Sequence, residues 1–305
     1  MTQEMNIKTN SPQAWLLAAR PKTLTGAAVP VMVGAALAWA DRSAQVLWLP
    51  CVLCFLFAFI MQIDANLIND YFDFRRGNDD AATRLGPKRA CSMGWVTPAA
   101  MVKAIVLTTA AGCAVGLPLV WYGGWQMVGV GALCVVFCFL YTTRLSYLGL
   151  GDVLVLVFFG IVPVCMTYYV SLPVEHQTVT TEVFVASLAC GMVIDTLLLV
   201  NNYRDVDNDR RDGKMTLVVR VGRRNGQLLY FWAGLVALAL GLVFVVNGRY
   251  LAFLLPALAY LPLHLKTYRH LVRIDHGRAL NEVLGETARN MFIYGLTTAV
   301  GLLVG

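Results

Sequence analysis

The chain is predicted to be an all-α integral membrane protein of nine transmembrane helices, and three observations lead there. Of its 305 residues, 58% are apolar and 14% charged, with a mean hydropathy of +0.64; a soluble domain carries about 25% charge. Nine apolar runs are long enough to cross a bilayer core: 24–40, 48–69, 99–121, 124–142, 150–171, 182–202, 227–247, 250–266 and 286–304. The basic residues also segregate. With the N-terminus in the cytoplasm, 22 of the 24 Lys and Arg fall on or beside that side, and only Arg42 and Arg249 fall opposite, the bias that cytoplasmic loops show. The net charge of +6 is therefore an orientation signal. A nucleic-acid partner would need a basic, aromatic-bearing soluble domain, and the sequence holds none.

Taken in order, residues 1–13 are polar and short and read as a disordered cytoplasmic tail; 14–305 read as one membrane domain. The first span follows Ala19-Arg20-Pro21-Lys22 with no small-residue cleavage site after it, so it reads as a retained helix. Trp15, Arg20 and Lys22 suit an interfacial anchor. Lys22 equally suits a cation that meets an anionic substrate. The eight Cys are mostly embedded in spans. Cys51-x-x-Cys54 lacks the further ligands a metal site needs and reads as buried small hydrophobes.

The second span ends in Asn66-Leu67-Ile68-Asn69-Asp70-Tyr71-Phe72-Asp73, where Asn66, Asp70 and Asp73 share a helix face. Ionisable groups in a span are expensive and default to function; Asp64, on another face, is left unassigned. The loop that follows carries Arg84, Lys88 and Arg89, three cations in six residues suited to clamping a diphosphate. After Tyr141 and Arg144, Gly149-Leu150-Gly151-Asp152 enters the fifth span. It lacks the strand and third Gly of a dinucleotide fingerprint, and close helix packing is the better use of its glycines.

The sixth span opens into Asn201-Asn202-Tyr203-Arg204-Asp205-Val206-Asp207-Asn208-Asp209-Arg210-Arg211-Asp212-Gly213-Lys214. Asn202, Asp205, Asp209 and Asp212 fall on one helix face. Such side chains repel unless a cation sits among them, and hard oxygen ligands with room for water suit Mg²⁺ holding a phosphorylated substrate. Asn69–Asp73 reads like Asn201–Asp205, so two acid-bearing helix ends, 66–73 and 202–212, make a candidate two-metal diphosphate site open to the cytoplasm. Asp195, deeper on the second stripe, is a base or orienting group for an aromatic acceptor, or a hydrogen-bonded packing residue.

These stretches together resemble the UbiA-type intramembrane prenyltransferases, over roughly residues 14–304. Arg20-Pro21-Lys22-Thr23, Asn66-x-x-Asn69-Asp70-Tyr71-x-Asp73, Arg84-x-Gly86-Pro87, Gly149–Asp152 and Asn202-x-Arg204-Asp205-x-x-x-Asp209 carry the resemblance, which is strongest to the branch that prenylates 1,4-dihydroxy-2-naphthoate in menaquinone synthesis. It implies a nine-helix bundle with polar cytoplasmic caps, in the cytoplasmic (inner) membrane. It also implies that Asp70, Asp73, Asp205 and Asp209 are catalytic Mg²⁺ ligands supported by Asn66 and Asn202. Lys214, Arg144 and Arg89 are then diphosphate contacts, and Lys22 a contact for an anionic substrate. The implied substrates are a polyprenyl diphosphate and the naphthoate, and no obligate protein partner is evident. Gly77 stands where the broader first motif has a further Asp; either Asp79 or Asp80 compensates, or that site uses fewer carboxylates. Thr83–Lys88 lacks the Arg-Thr and Arg-Pro pair of the 4-hydroxybenzoate branch. Other readings are another enzyme of the same fold (4-hydroxybenzoate, haem O or ether-lipid type), a cation-coupled transporter, and a membrane scaffold. A transporter predicts acids near the midplane and inverted repeats, whereas most acids here sit at helix ends of the same orientation.

Overall fold

A computed structural model describes residues 7–78 and 84–305. Asp79, Asp80 and Thr83 lie outside the described residues, as do residues 1–6. Among the described residues the chain is helical with no strand. Helix α1 (Pro12–Ala19) turns at Arg20, whose backbone is left-handed (φ 53°), into α2 (Leu24–Arg42). Then come α3 (Trp48–Arg76), α4 (Pro98–Gly116), the short α5 (Leu119–Gly123) and α6 (Gln126–Leu140). A π-helical turn, Tyr141–Leu145, leads towards α7 (Gly151–Val155), which runs through a second π-helical stretch into α8 (Val162–Val170). The rest is α9 (Thr181–Arg211), α10 (Leu217–Leu240), α11 (Leu242–Val246), α12 (Tyr250–Ile274) and α13 (Leu280–Val304).

Seven spans among the described residues, several of them built from consecutive helices, are long and apolar enough to cross a membrane. α12 and α13 are 25 residues each but fall short in apolarity. His264, Lys266 and Arg269 interrupt the first, and Glu282, Glu286, Arg289 and Asn290 the second. Part of that polarity is spent inside the bundle, where Asn290 Nδ2 donates to Thr267 Oγ1 at 2.9 Å.

The central core joins Val29, Val33 and Leu37 of α2 to Val164 and Tyr168 of α8, Val193 of α9 and Tyr294 of α13. A second cluster packs Ala14 and Ala18 of α1 against Leu67 and Ile68 of α3, with Trp95 and Met101. Residues 1–13 were read as a disordered tail; in its described part Ile7 is buried, and Asn10 N donates to the Trp95 carbonyl at 2.8 Å while Asn10 Oδ1 accepts from Thr97 N.

Two helices overshoot the rest. α3 has 29 residues and α9 has 31, which leaves roughly ten beyond the ~20 that a bilayer core needs. Those extra turns carry both acidic stretches. Gly77, at φ 76°, ends α3 in the left-handed cap that glycine accepts most readily. Gly213, at φ 71°, stands just past α9 and lets the chain reverse. At the other end of the bundle Arg249 pairs with Asp41 and, at 2.9 Å, with Glu182, so one of the two outlying cations is neutralised by α2 and α9.

Candidate active site

The helix period that predicted one acidic face on each long helix holds, but the carboxylates face different tasks. Asp70 is 2% exposed. Its Oδ2 accepts from Ala90 N at 2.8 Å and its Oδ1 from Cys91 N at 2.9 Å. Asp70 thus sits under the 90–91 turn and holds it, with one backbone donor on each oxygen; a carboxylate has about four acceptor sites, so each oxygen keeps a free lone pair. Asn66, one turn earlier, donates to the Ala19 carbonyl at 3.0 Å and to Thr23 Oγ1 at 2.9 Å, tying α3 to the α1–α2 joint. Asp73 remains partly open, 3.8 Å from Arg89 Nη2.

On α9, Asp205 is gripped by its neighbour: Arg204 Nε donates to Oδ1 at 2.9 Å and Nη2 to Oδ2 at 2.5 Å. The same guanidinium donates to Asn201 Oδ1 at 2.8 Å and to Asn281 Oδ1, on α13, at 2.9 Å. Asn281 Nδ2 then donates to the Leu85 carbonyl at 2.9 Å. Gly86 lies flat against this hub, since a Cβ there would stand 2.7 Å from Arg204 Nη2. Arg204 thus joins α9, α13 and the 84–87 turn.

Asp209 is 9% exposed, and its Oδ2 is buried with no hydrogen-bond partner among the described residues. Asp73, Asp205 and Asp212 all lie near enough for their charges to act on it. Lys214 Nζ is 3.9 Å from Asp209 Oδ1. Burial disfavours the lysine's charge, yet Asp209, Tyr141 and Asp73 outweigh it and hold its pKa above the ordinary lysine value. Asn202, two turns earlier on α9, is buried. The two motifs therefore meet at one end of the bundle through Asp73 and Asp209.

Among the described residues no three carboxylates, histidines or cysteines already stand at metal-ligand spacing. The donor set nonetheless fits Mg²⁺, which keeps waters and takes one or two protein carboxylates plus substrate phosphate. Asp209 offers a buried oxygen without a donor, and Asp73 a partly open carboxylate.

Beneath this polar end lies a cavity of about 1430 Å³. Its walls are largely apolar side chains of α2, α3, α6, α8 and α9; its polar end includes Arg20, Lys22, Asn66, Arg84, Lys88 and Asn201. Lys22 thus lies in the cavity lining. Arg89, at 5% exposure, sits behind the wall. Arg144, expected to contact phosphate, is exposed on the π-helical turn; like Asp73, Asp209 and Lys214, it is not among the residues that line the cavity. Sequence reasoning read Arg20 as an interfacial anchor and gave no role to Asn281. Arg20 was visible as a cation before the first span, whereas nothing local marks Asn281.

An acidic, cationic head above a long apolar cavity in a helical bundle defines an intramembrane enzyme for an amphiphilic diphosphate. The chain belongs to the UbiA prenyltransferase family, whose model matches residues 27–296. It is 33% identical to the 1,4-dihydroxy-2-naphthoate octaprenyltransferase of Escherichia coli, over 100% of this chain and 98% of that one. It is 34% identical to the protein of the same name from Mycobacterium tuberculosis, over 95% and 97%. In fold it is similar to a UbiA homolog from Aeropyrum pernix, solved in the apo form, with a TM-score of 0.67 at 14% identity, covering 90% of this chain and 97% of that one. A UbiA homolog from Archaeoglobus fulgidus, solved bound to DMAPP and Mg²⁺, gives a TM-score of 0.57 at 14% identity, over 94% and 99%.

Proposed function

We propose that this protein transfers a polyprenyl group from an allylic polyprenyl diphosphate to 1,4-dihydroxy-2-naphthoate, releasing CO₂ and diphosphate and giving demethylmenaquinol. The observation that supports the reading is the pairing of Asp73 with Arg89 and of Asp209 with Lys214 at the helix ends, in a bundle whose large apolar cavity carries Arg20, Lys22, Arg84 and Lys88 in its lining. Full-length relatives named for this reaction support it. The nine-span bundle lies in the cytoplasmic membrane with its N-terminus and its acidic end in the cytoplasm.

Asp209 and Asp73 are the residues that would hold Mg²⁺, with Asp205 and Asn202 beside them; the bound ion neutralises charge on the leaving diphosphate. Lys214 and Arg89 meet the remaining phosphate oxygens, and they act in a low-dielectric setting where fixed charges are worth most. Arg204 orients Asp205 by a two-point fork. Asp70 acts one step back by fixing the turn that carries Arg89. Arg20 and Lys22 receive the acceptor's carboxylate at the cavity mouth, and the apolar walls take the prenyl tail and exclude water from the allyl cation.

Two variants separate these roles. Asp209→Asn is expected to lower kcat at least about 100-fold and to raise the Mg²⁺ concentration giving half-maximal rate. Asp70→Asn is expected to leave that concentration unchanged while exposing residues 84–96 to proteolysis. A Mg²⁺ requirement that shifts with Asp70→Asn and not with Asp209→Asn would reverse the assignment.

A further inference from the structure

Two carboxylates outside the site described above lie near one another, and for one of them, Asp195, the sequence left a base, an orienting group and a packing residue open. Asp152 is the second residue of α7, and Asp195 lies midway along α9. Asp195 is 8% exposed. Its Oδ1, and both carboxyl oxygens of Asp152, are buried with no hydrogen-bond partner among the described residues.

A seam of small residues brings them together. A Cβ on Gly160 would lie 2.7 Å from the Ser187 carbonyl oxygen and 2.8 Å from Gly191 Cα. One on Gly151 would lie 3.4 Å from Leu198 Cδ2. The two spans are thus antiparallel and in close contact from Gly160–Gly191 to Gly151–Leu198. Asp152 and Asp195 belong to that seam, near enough for the charge of one to act on the other. Tyr141 closes the third side. It lines the cavity, and its hydroxyl stands 3.8 Å from the Cβ position of Gly151. The charged groups that reach it are Asp152, Asp195, Asp209 and Lys214.

Enclosing two negative charges with no donor between them is prohibitive. Carboxyl pairs in that position hold a proton in common. We propose that Asp152 and Asp195 form one proton-sharing pair which, through the Tyr141 hydroxyl, accepts the phenolic proton of the aromatic acceptor while its ring is prenylated. This rests on the hydroxynaphthoate reading of the acceptor. The acceptor's O–H bond breaks, its proton passes to the Tyr141 oxygen, and the Tyr141 proton passes to the pair. The freed electron pair moves into the ring as the ring carbon bonds to the allylic carbon. When CO₂ leaves, the electrons of its C–C bond return through the ring to the oxygen, which recovers a proton by the same path. No oxidant, reductant or net proton is consumed.

The test compares full-length wild type, Asp152→Asn, Asp195→Asn and Tyr141→Phe in detergent with Mg²⁺. Infrared spectra are expected to show one protonated-carboxyl C=O band that both Asn variants lose. With polyprenyl diphosphate and 1,4-dihydroxy-2-naphthoate, all three variants are expected to lose about 10²–10⁴-fold in kcat near neutral pH, with an unchanged KM for the diphosphate. Rates should recover as the pH approaches about 10, where a phenol ionises unaided. A loss that is the same at every pH, which is what a packing role gives, would overturn the proposal. So would an undiminished rate, a band that survives either substitution, or carboxylate bands alone, which would mean a bound cation. Should an Asn variant fail to fold, the Tyr141→Phe profile decides. If wild type turns over no hydroxynaphthoate, the functional reading fails by itself, and the infrared band still decides the pair.

Discussion

Arg204 carries four hydrogen bonds at 2% exposure, and a lysine could not replace its planar fork. Removing it strands Asp205, Asn201 and Asn281 together. Arg204→Ala is expected to cost about 3–5 kcal/mol, read as a lower thermal midpoint in detergent. The sequence shows Arg204 inside an acidic stripe, but its partner Asn281 is 77 positions away, and no periodicity reaches that far. Asp209 is the opposite case. Its spacing from Asn202 and Asp205 marks its face at once, because the helix period alone decides it. Asp70 shares the same kind of face, yet its task depends on where a turn twenty residues later folds back.

At the scale of elements, what the residues announce is length and ending. An apolar run, acids at its last turns, and a following Gly define α3 and α9 without tertiary information. The 84–97 segment is different: Asp70, Asn281, Arg204 and residues 9–10 together shape it, and each lies outside it. Of the seam between α7–α8 and α9, only Gly151 was legible as a glycine suited to close packing; Gly160, Gly191 and the partners were not. Gly160→Leu is expected to separate the two spans, since its side chain would enter the backbone of Ser187 and Gly191. Overpacking of this kind costs about 1–3 kcal/mol or more, measured as loss of folded, monodisperse protein on size-exclusion chromatography.

For the whole molecule, segregation of charge sets direction. The acidic helix ends, Lys214 and the 84–89 cations lie at one end, while Arg249 is held by Asp41 and Glu182 at the other. An epitope inserted after Glu175 is expected to bind antibody on intact spheroplasts, and one after His276 only after lysis. The reverse pattern would invert the orientation. Composition made the membrane class plain, whereas the last two long helices, α12 and α13, are diluted by polar residues, of which Asn290 and Thr267 are buried against each other. The most direct measurement offers purified protein a labelled polyprenyl diphosphate with either 1,4-dihydroxy-2-naphthoate or 4-hydroxybenzoate, with Mg²⁺ and again with EDTA. The expected result is prenylated naphthalene product and CO₂ in equal amounts, from the naphthoate alone and only with Mg²⁺. Product from 4-hydroxybenzoate alone, or undiminished turnover in EDTA, would contradict it.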